Sequence, residues 1–94
     1  MSEIIRRHIR FSGRVQGVAF RYRAKEICGS LGLTGWVRNE YNGDVEMEVQ
    51  GPRETINEMI RMIYAQPYIH IDGIESEEIA PDPDERSFRI TGGW

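Results

Sequence analysis

Gly13-Arg14-Val15-Gln16-Gly17-Val18-Ala19-Phe20-Arg21 is the stretch that decides how this chain folds. It reads as a strand that breaks into a glycine-bracketed loop and then opens a helix. Gly13 and Gly17 lack a Cβ, so the backbone turns tightly at both ends of the loop. The loop amides and the first amides of the helix have no intrahelical partner, and they can converge on one anion. Arg21, in the first helical turn, adds a cationic fork suited to phosphate oxygens. Read from residues alone, the segment predicts a phosphate-sized site made of main chain and one guanidinium.

Upstream, residues 4–13 alternate. Ile5, Arg7, Ile9 and Phe11 share one face; Arg6, His8 and Arg10 share the other. This is a half-buried strand with one imperfection, Arg7. Downstream, Phe20, Ala24, Ile27, Cys28 and Leu31 recur at helical spacing. Gly29 and Gly32 suit a helix stop. Residues 35–40 are strand-like. Asn42-Gly43 signals a two-residue hairpin, because both positions tolerate positive φ. On the return strand Val45, Met47 and Val49 face one way, Glu46 and Glu48 the other.

Gly51-Pro52 ends that strand, and proline fits the first turn of the next helix. The second helix carries an apolar stripe of Ile56, Met59, Ile60, Ile63 and Tyr64, and Pro67 stops it. Ile69, Ile71 and the acid-rich run from Ile74 to Ile79 read as extended. Pro81-Asp82-Pro83-Asp84 marks a turn, and Ser87 to Ile90 a last short strand. The order is β-α-β-β-α-β with a terminal strand. It predicts an α+β fold, the ferredoxin-like split βαβ sandwich, with two helices on one face of an antiparallel sheet. Residues 1–94 read as a single domain.

Net charge is −3 over 94 residues, which argues against a general nucleic-acid binder. Basic residues nevertheless crowd the first quarter of the chain, favouring a small anionic ligand near the loop. Individually, Arg6, Arg7, Arg10, Arg23 and Lys25 read as solvated faces, and so does the acidic loop Asp82, Asp84, Glu85. His8 and His70 have no ligand cluster in sequence, so no metal site is expected. The one cysteine, Cys28, falls on the apolar helix face and reads as a small buried hydrophobe. No stretch has the length and composition of a signal peptide or membrane span. The expectation is a cytoplasmic monomer.

A second segment follows the loop: Gly35-Trp36-Val37-Arg38-Asn39, then Gly43-Asp44-Val45-Glu46. With Gly13, Val15, Gly17, Val18, Phe20 and Arg21 before it and Gly51-Pro52 after it, the pattern resembles the acylphosphatase family from about Ile9 to Ile90. The resemblance implies a metal-independent, cofactor-free hydrolase acting on acid anhydrides. Such an enzyme cleaves acyl phosphates to a carboxylate and inorganic phosphate. It implies that the amides of Gly13, Arg14, Val15, Gln16, Gly17, Val18 and Ala19, with Arg21, bind the phosphoryl group. It also implies that Asn39 orients the attacking water.

Three positions depart from the family's usual residues. Ala19 replaces a bulkier, often aromatic one, with a bearing on acyl preference. Asn42 stands where Asp is common, and the Gly92-Gly93-Trp94 ending is atypical. Two other readings share the element order. A single-stranded RNA-binding module needs a basic, aromatic central strand, whereas Asp44-Val45-Glu46-Met47-Glu48-Val49 is acidic. A non-catalytic anion sensor has no need of both Arg21 and Asn39.

Overall fold

The computed structural model describes residues 3–92. Its elements are β1 (Ile4–Arg14), α1 (Phe20–Ser30), β2 (Thr34–Asn39), β3 (Val45–Pro52), α2 (Arg53–Tyr64), β4 (His70–Ile79) and β5 (Phe88–Ile90). The strands form one five-stranded sheet in the order β4-β1-β3-β2-β5. β1 pairs antiparallel with both β3 and β4, and β2 pairs antiparallel with β3. The expected antiparallel sheet holds for these four strands and fails for the fifth. β5 lies parallel to β2, with Gly35 opposite Phe88 and Val37 opposite Ile90. The sheet is therefore mixed, because the chain crosses from β4 over to the opposite edge before pairing.

The two alternations of the sequence do the packing. Ile5, Ile9 and Phe11 of β1 join Val45, Met47 and Val49 of β3 beneath Phe20, Ala24, Ile27 and Cys28 of α1 and Ile56, Met59 and Ile63 of α2. Each of the Ile, Val, Met and Phe side chains contributes roughly 1.5–3 kcal/mol on burial. Tyr64, read as part of the α2 stripe, is 50% exposed and is the last residue of α2. Pro52 sits just before α2, as its N-cap in extended conformation, and not within the first turn.

The hairpin between β2 and β3 differs from the two-residue turn expected at Asn42-Gly43. The Gly43 amide donates to the Glu40 carbonyl and the Glu40 amide to the Asp44 carbonyl. Only Gly43 takes positive φ, at 98°. The loop is thus three residues long, a tight turn followed by a left-handed glycine. Asn42 helps from its side chain, accepting from the Asp44 amide at 3.0 Å.

The open face of the sheet corrects the reading of two charged residues. Arg6 is 4% exposed. It donates bidentately to Glu85 at 2.8 and 3.1 Å, and to Glu48 at 2.9 Å. Hydrogen bonding to Glu85, with Glu48 behind it, raises the guanidinium pKa against the opposing effect of burial. Neither Arg6 nor Glu85 belongs to a solvated face, because the segment after β4 folds back across the sheet and buries them together. Trp36 lies on the same face with the Arg38 guanidinium 5.1 Å above its ring. Of the atypical ending, Gly93 and Trp94 lie outside the described residues.

Candidate active site

The loop after β1 is held by its apolar residues. Val15 is fully buried in the core. Phe11, before the loop, and Phe20, after it, pack in a tilted pair with ring centroids 5.0 Å apart. Between these anchors Gly17 takes φ 74° and Ala19 φ 63°, so a non-glycine residue holds the left-handed region at the mouth of α1. Ala19 is the N-cap of α1, and no side chain caps the helix. The first turn of α1 also lacks an acidic residue, whereas that of α2 carries Glu54. The first amides of α1 are thus left for an outside acceptor, on the electropositive end of the helix.

Val15, Gly17, Ala19, Phe20, Arg21, Tyr22 and Asn39 line one hollow of about 190 Å³. Arg21 enters it from the first turn of α1 and Asn39 from the last residue of β2. Asn39 is 7% exposed, and burial of that kind requires its amide to be hydrogen-bonded. It also borders a second hollow with Arg38, Glu40, Tyr41 and Gly92. Among the described residues, no carboxylate forms a salt bridge with Arg21, while Arg6, Arg10 and Arg38 are all paired with glutamates. Of the basic residues in the first quarter, Arg6 and Arg10 are thus spent on the open face, and Arg21 lines the hollow.

The other loop residues go elsewhere. Gly13 and Arg14 belong to β1 and stand opposite Ile71 and His70 of β4. Arg14 and Val18 line a neighbouring depression with Pro67, Tyr68, Ile69 and His70. The Gln16 side chain turns from the hollow toward the β2–β3 hairpin. Sequence reasoning did not single out Tyr22, which lines the hollow; its place beside Arg21 in the first helical turn was the available signal.

A family model described as Acylphosphatase matches residues 7–90. An acylphosphatase of Anaeromyxobacter dehalogenans is 43% identical over 91 residues, covering 96% of this chain and 98% of that protein. The chain belongs to the acylphosphatase family. An acylphosphatase of Koribacter versatilis is 40% identical over 88% of this chain and 76% of its own. The solved acylphosphatase from Coxiella burnetii superposes with a TM-score of 0.85 at 34% identity, covering 94% of this chain and 93% of that one. That from Bacillus subtilis gives 0.86 at 28% identity, covering 94% and 99%. Acylphosphatases are hydrolases acting on acid anhydrides.

In this acylphosphatase-family fold the titratable groups with a clear pKa shift, Cys28 and Glu46 among them, do not line the hollow. The Cys28 thiol is fully buried, and desolvation pushes its pKa up to about 12. That makes it a poor nucleophile. On the open face, burial raises the Glu46 carboxyl, but hydrogen bonds from His8 at 2.6 Å and Arg38 at 2.8 Å outweigh it and leave the pKa lowered. Among the described residues, no three His, Cys, Asp or Glu side chains are grouped to hold a metal ion. None of the described helices is long and apolar enough to cross a membrane.

Proposed function

We propose that the chain hydrolyses acyl phosphates in the hollow between the loop and the end of β2. In this reading the amides of the loop, from Val15 to Ala19 above all, and the Arg21 guanidinium bind the phosphoryl oxygens. The Asn39 carboxamide, which offers both an acceptor and donors, orients a water for in-line attack. The water oxygen forms a new bond to phosphorus, and the bond from phosphorus to the acyl oxygen breaks. Its electron pair leaves with the carboxylate, and the water's proton passes to an oxygen of the departing phosphate. A carboxylate has a pKa of about 4, so it departs at neutral pH without a general acid. Phosphoryl transfer asks chiefly for positioning and charge stabilisation, and metal-independent turnover follows from that chemistry. We further propose a monomer acting in the cytoplasm, in keeping with the acidic net charge and the buried free thiol.

One observation carries the reading: Arg21 and Asn39, from separate elements, line the same hollow as the uncapped entrance of α1. The test is hydrolysis of benzoyl phosphate in the presence of a chelator. Arg21→Lys keeps the charge and loses the bidentate fork. It should lower kcat/KM by about 100-fold or more. Asn39→Ala should reduce turnover to a residual rate measurable only with enzyme in excess, while inorganic phosphate still competes for the site. Near-normal kinetics in either variant would remove that residue from its role.

A further inference from the structure

The loop and Asn39 come from elements that do not touch in the sheet. β1, which leads into the loop, is separated from β2, which ends in Asn39, by β3. Main-chain pairing between the two strands therefore cannot set the distance from phosphate cradle to water site. One side chain spans the gap. The Gln16 Nε2 amide donates to the Glu40 carbonyl at 2.7 Å and to the Asp44 carbonyl at 2.9 Å. Those two carbonyls flank the hairpin loop, and Glu40 directly follows Asn39. Both already accept a hairpin bond, one from Gly43 and one from Glu40, so Gln16 takes up their second lone pairs. Its own main chain lies between core-bound Val15 and Gly17 of the hollow.

We propose that the Gln16 side chain is a positioning residue that holds the phosphate loop in register with Asn39. This rests on the roles assigned above to the loop and to Asn39. With the strut in place, the bound phosphorus and the held water share one rigid frame. Without it, the pairing of β1 with β3, which ends at Phe11 opposite Val45, leaves the loop and the hairpin beyond it free to shift relative to one another. A misplacement of about 1 Å at a reacting centre costs on the order of 100-fold in rate.

Gln16→Met keeps the length of the side chain and removes both donors. With benzoyl phosphate, kcat should fall by about 10- to 100-fold. KM and the inhibition constant of inorganic phosphate should stay within about twofold, since the cradle itself is unchanged. In an Asn39→Ala background, assayed with enzyme in excess, Gln16→Met should cost nothing further, because the group it positions is gone. Gln16→Glu keeps the shape but sets a carboxylate against two carbonyls. Its kcat relative to wild type should start below that of Gln16→Met. It should then rise from about pH 6 to about pH 4, as the acid gains a proton and one donor returns. That profile serves as the test if Gln16→Met fails to fold. Wild-type kcat in Gln16→Met, a loss confined to KM, an equal loss in the Asn39→Ala background, or a flat Gln16→Glu profile would each overturn the inference. A crippled Asn39→Ala beside a normal Gln16→Met overturns this proposal alone. A fully active Asn39→Ala overturns the site assignment and this proposal together.

Discussion

Gly35→Ala tests how closely β2 and β3 are drawn together. Gly35 stands opposite Val49 where β2 meets β3, and its φ is 143°. A Cβ built there would lie 1.9 Å from the Glu48 carbonyl oxygen and 2.8 Å from the carbonyl carbon. Carbon and oxygen in favourable contact stay about 3.3 Å apart or more, so the strands must part by roughly 1.4 Å. The atom in the way is backbone and cannot swing aside. Overpacking of this kind costs about 1–3 kcal/mol. Holding an L-residue at that φ costs about 1–3 kcal/mol more. The sum, about 4 kcal/mol, compares with a total of about 5–14 kcal/mol for a domain of this size. Urea unfolding followed by circular dichroism should show that loss, with a melting temperature lower by roughly 20 °C. Gly32→Ala is the control. Gly32 also has positive φ, at 73°, but nothing lies within 4 Å of an added Cβ. It should cost only about 1–2 kcal/mol. Equal losses in the two variants, or a Gly35→Ala loss under about 1 kcal/mol, would refute the steric argument.

Two further outcomes follow from the buried groups. Glu46 has a lowered pKa in the fold, so its stabilisation is complete above its ordinary value of 4.5 and fades as pH falls through the lower folded value. Glu46→Gln should cost about 2 kcal/mol at neutral pH, and its deficit against wild type should narrow below pH 4.5 in urea titrations; a constant deficit would contradict the linkage. Cys28, with its pKa pushed up to about 12 from 9.0, presents about a thousandfold less thiolate than an unshifted thiol. Iodoacetamide at mild alkaline pH should label unfolded protein and spare the native state over the same minutes. Rapid native labelling would show that the thiol is not sealed in the core.

The helices and the first three strands were legible because their signals are local. Helical spacing from Phe20 to Cys28 and two-residue alternation around Val45 each imply one face and one partner layer. The parallel seat of β5 was not legible, since three residues carry no mark of direction. Arg6 and Glu85 were misread for a related reason. Their pairing spans 79 positions in sequence and exists only because the segment after β4 crosses the open face. At the site, the residues alone carried as far as an anion loop and Arg21. Asn39 entered through the resemblance of its segment to a family pattern, and in the fold it lines the same hollow as Arg21. Gln16 was counted as loop backbone, because nothing in sequence says that its side chain reaches the β2–β3 hairpin.

The entrance of α1 forgoes two stabilisers that a helix ordinarily has. A Ser, Thr, Asp or Asn N-cap contributes about 1 kcal/mol, and Ala19 instead stands there in the left-handed region, at a further cost of about 1–2 kcal/mol. Both choices are intelligible from the chemistry. On the proposed roles, a capping oxygen would occupy the amides meant for the phosphoryl group, and an acidic cap would repel a dianion. The deficit of about 2–3 kcal/mol is offset nearby. Val15 and Phe20 are both buried, one on either side of the strained residues, and together contribute about 3–6 kcal/mol. The loop can therefore hold its donors open without a ligand. For a reaction whose leaving group needs no proton, donors already in place are what the protein has to supply.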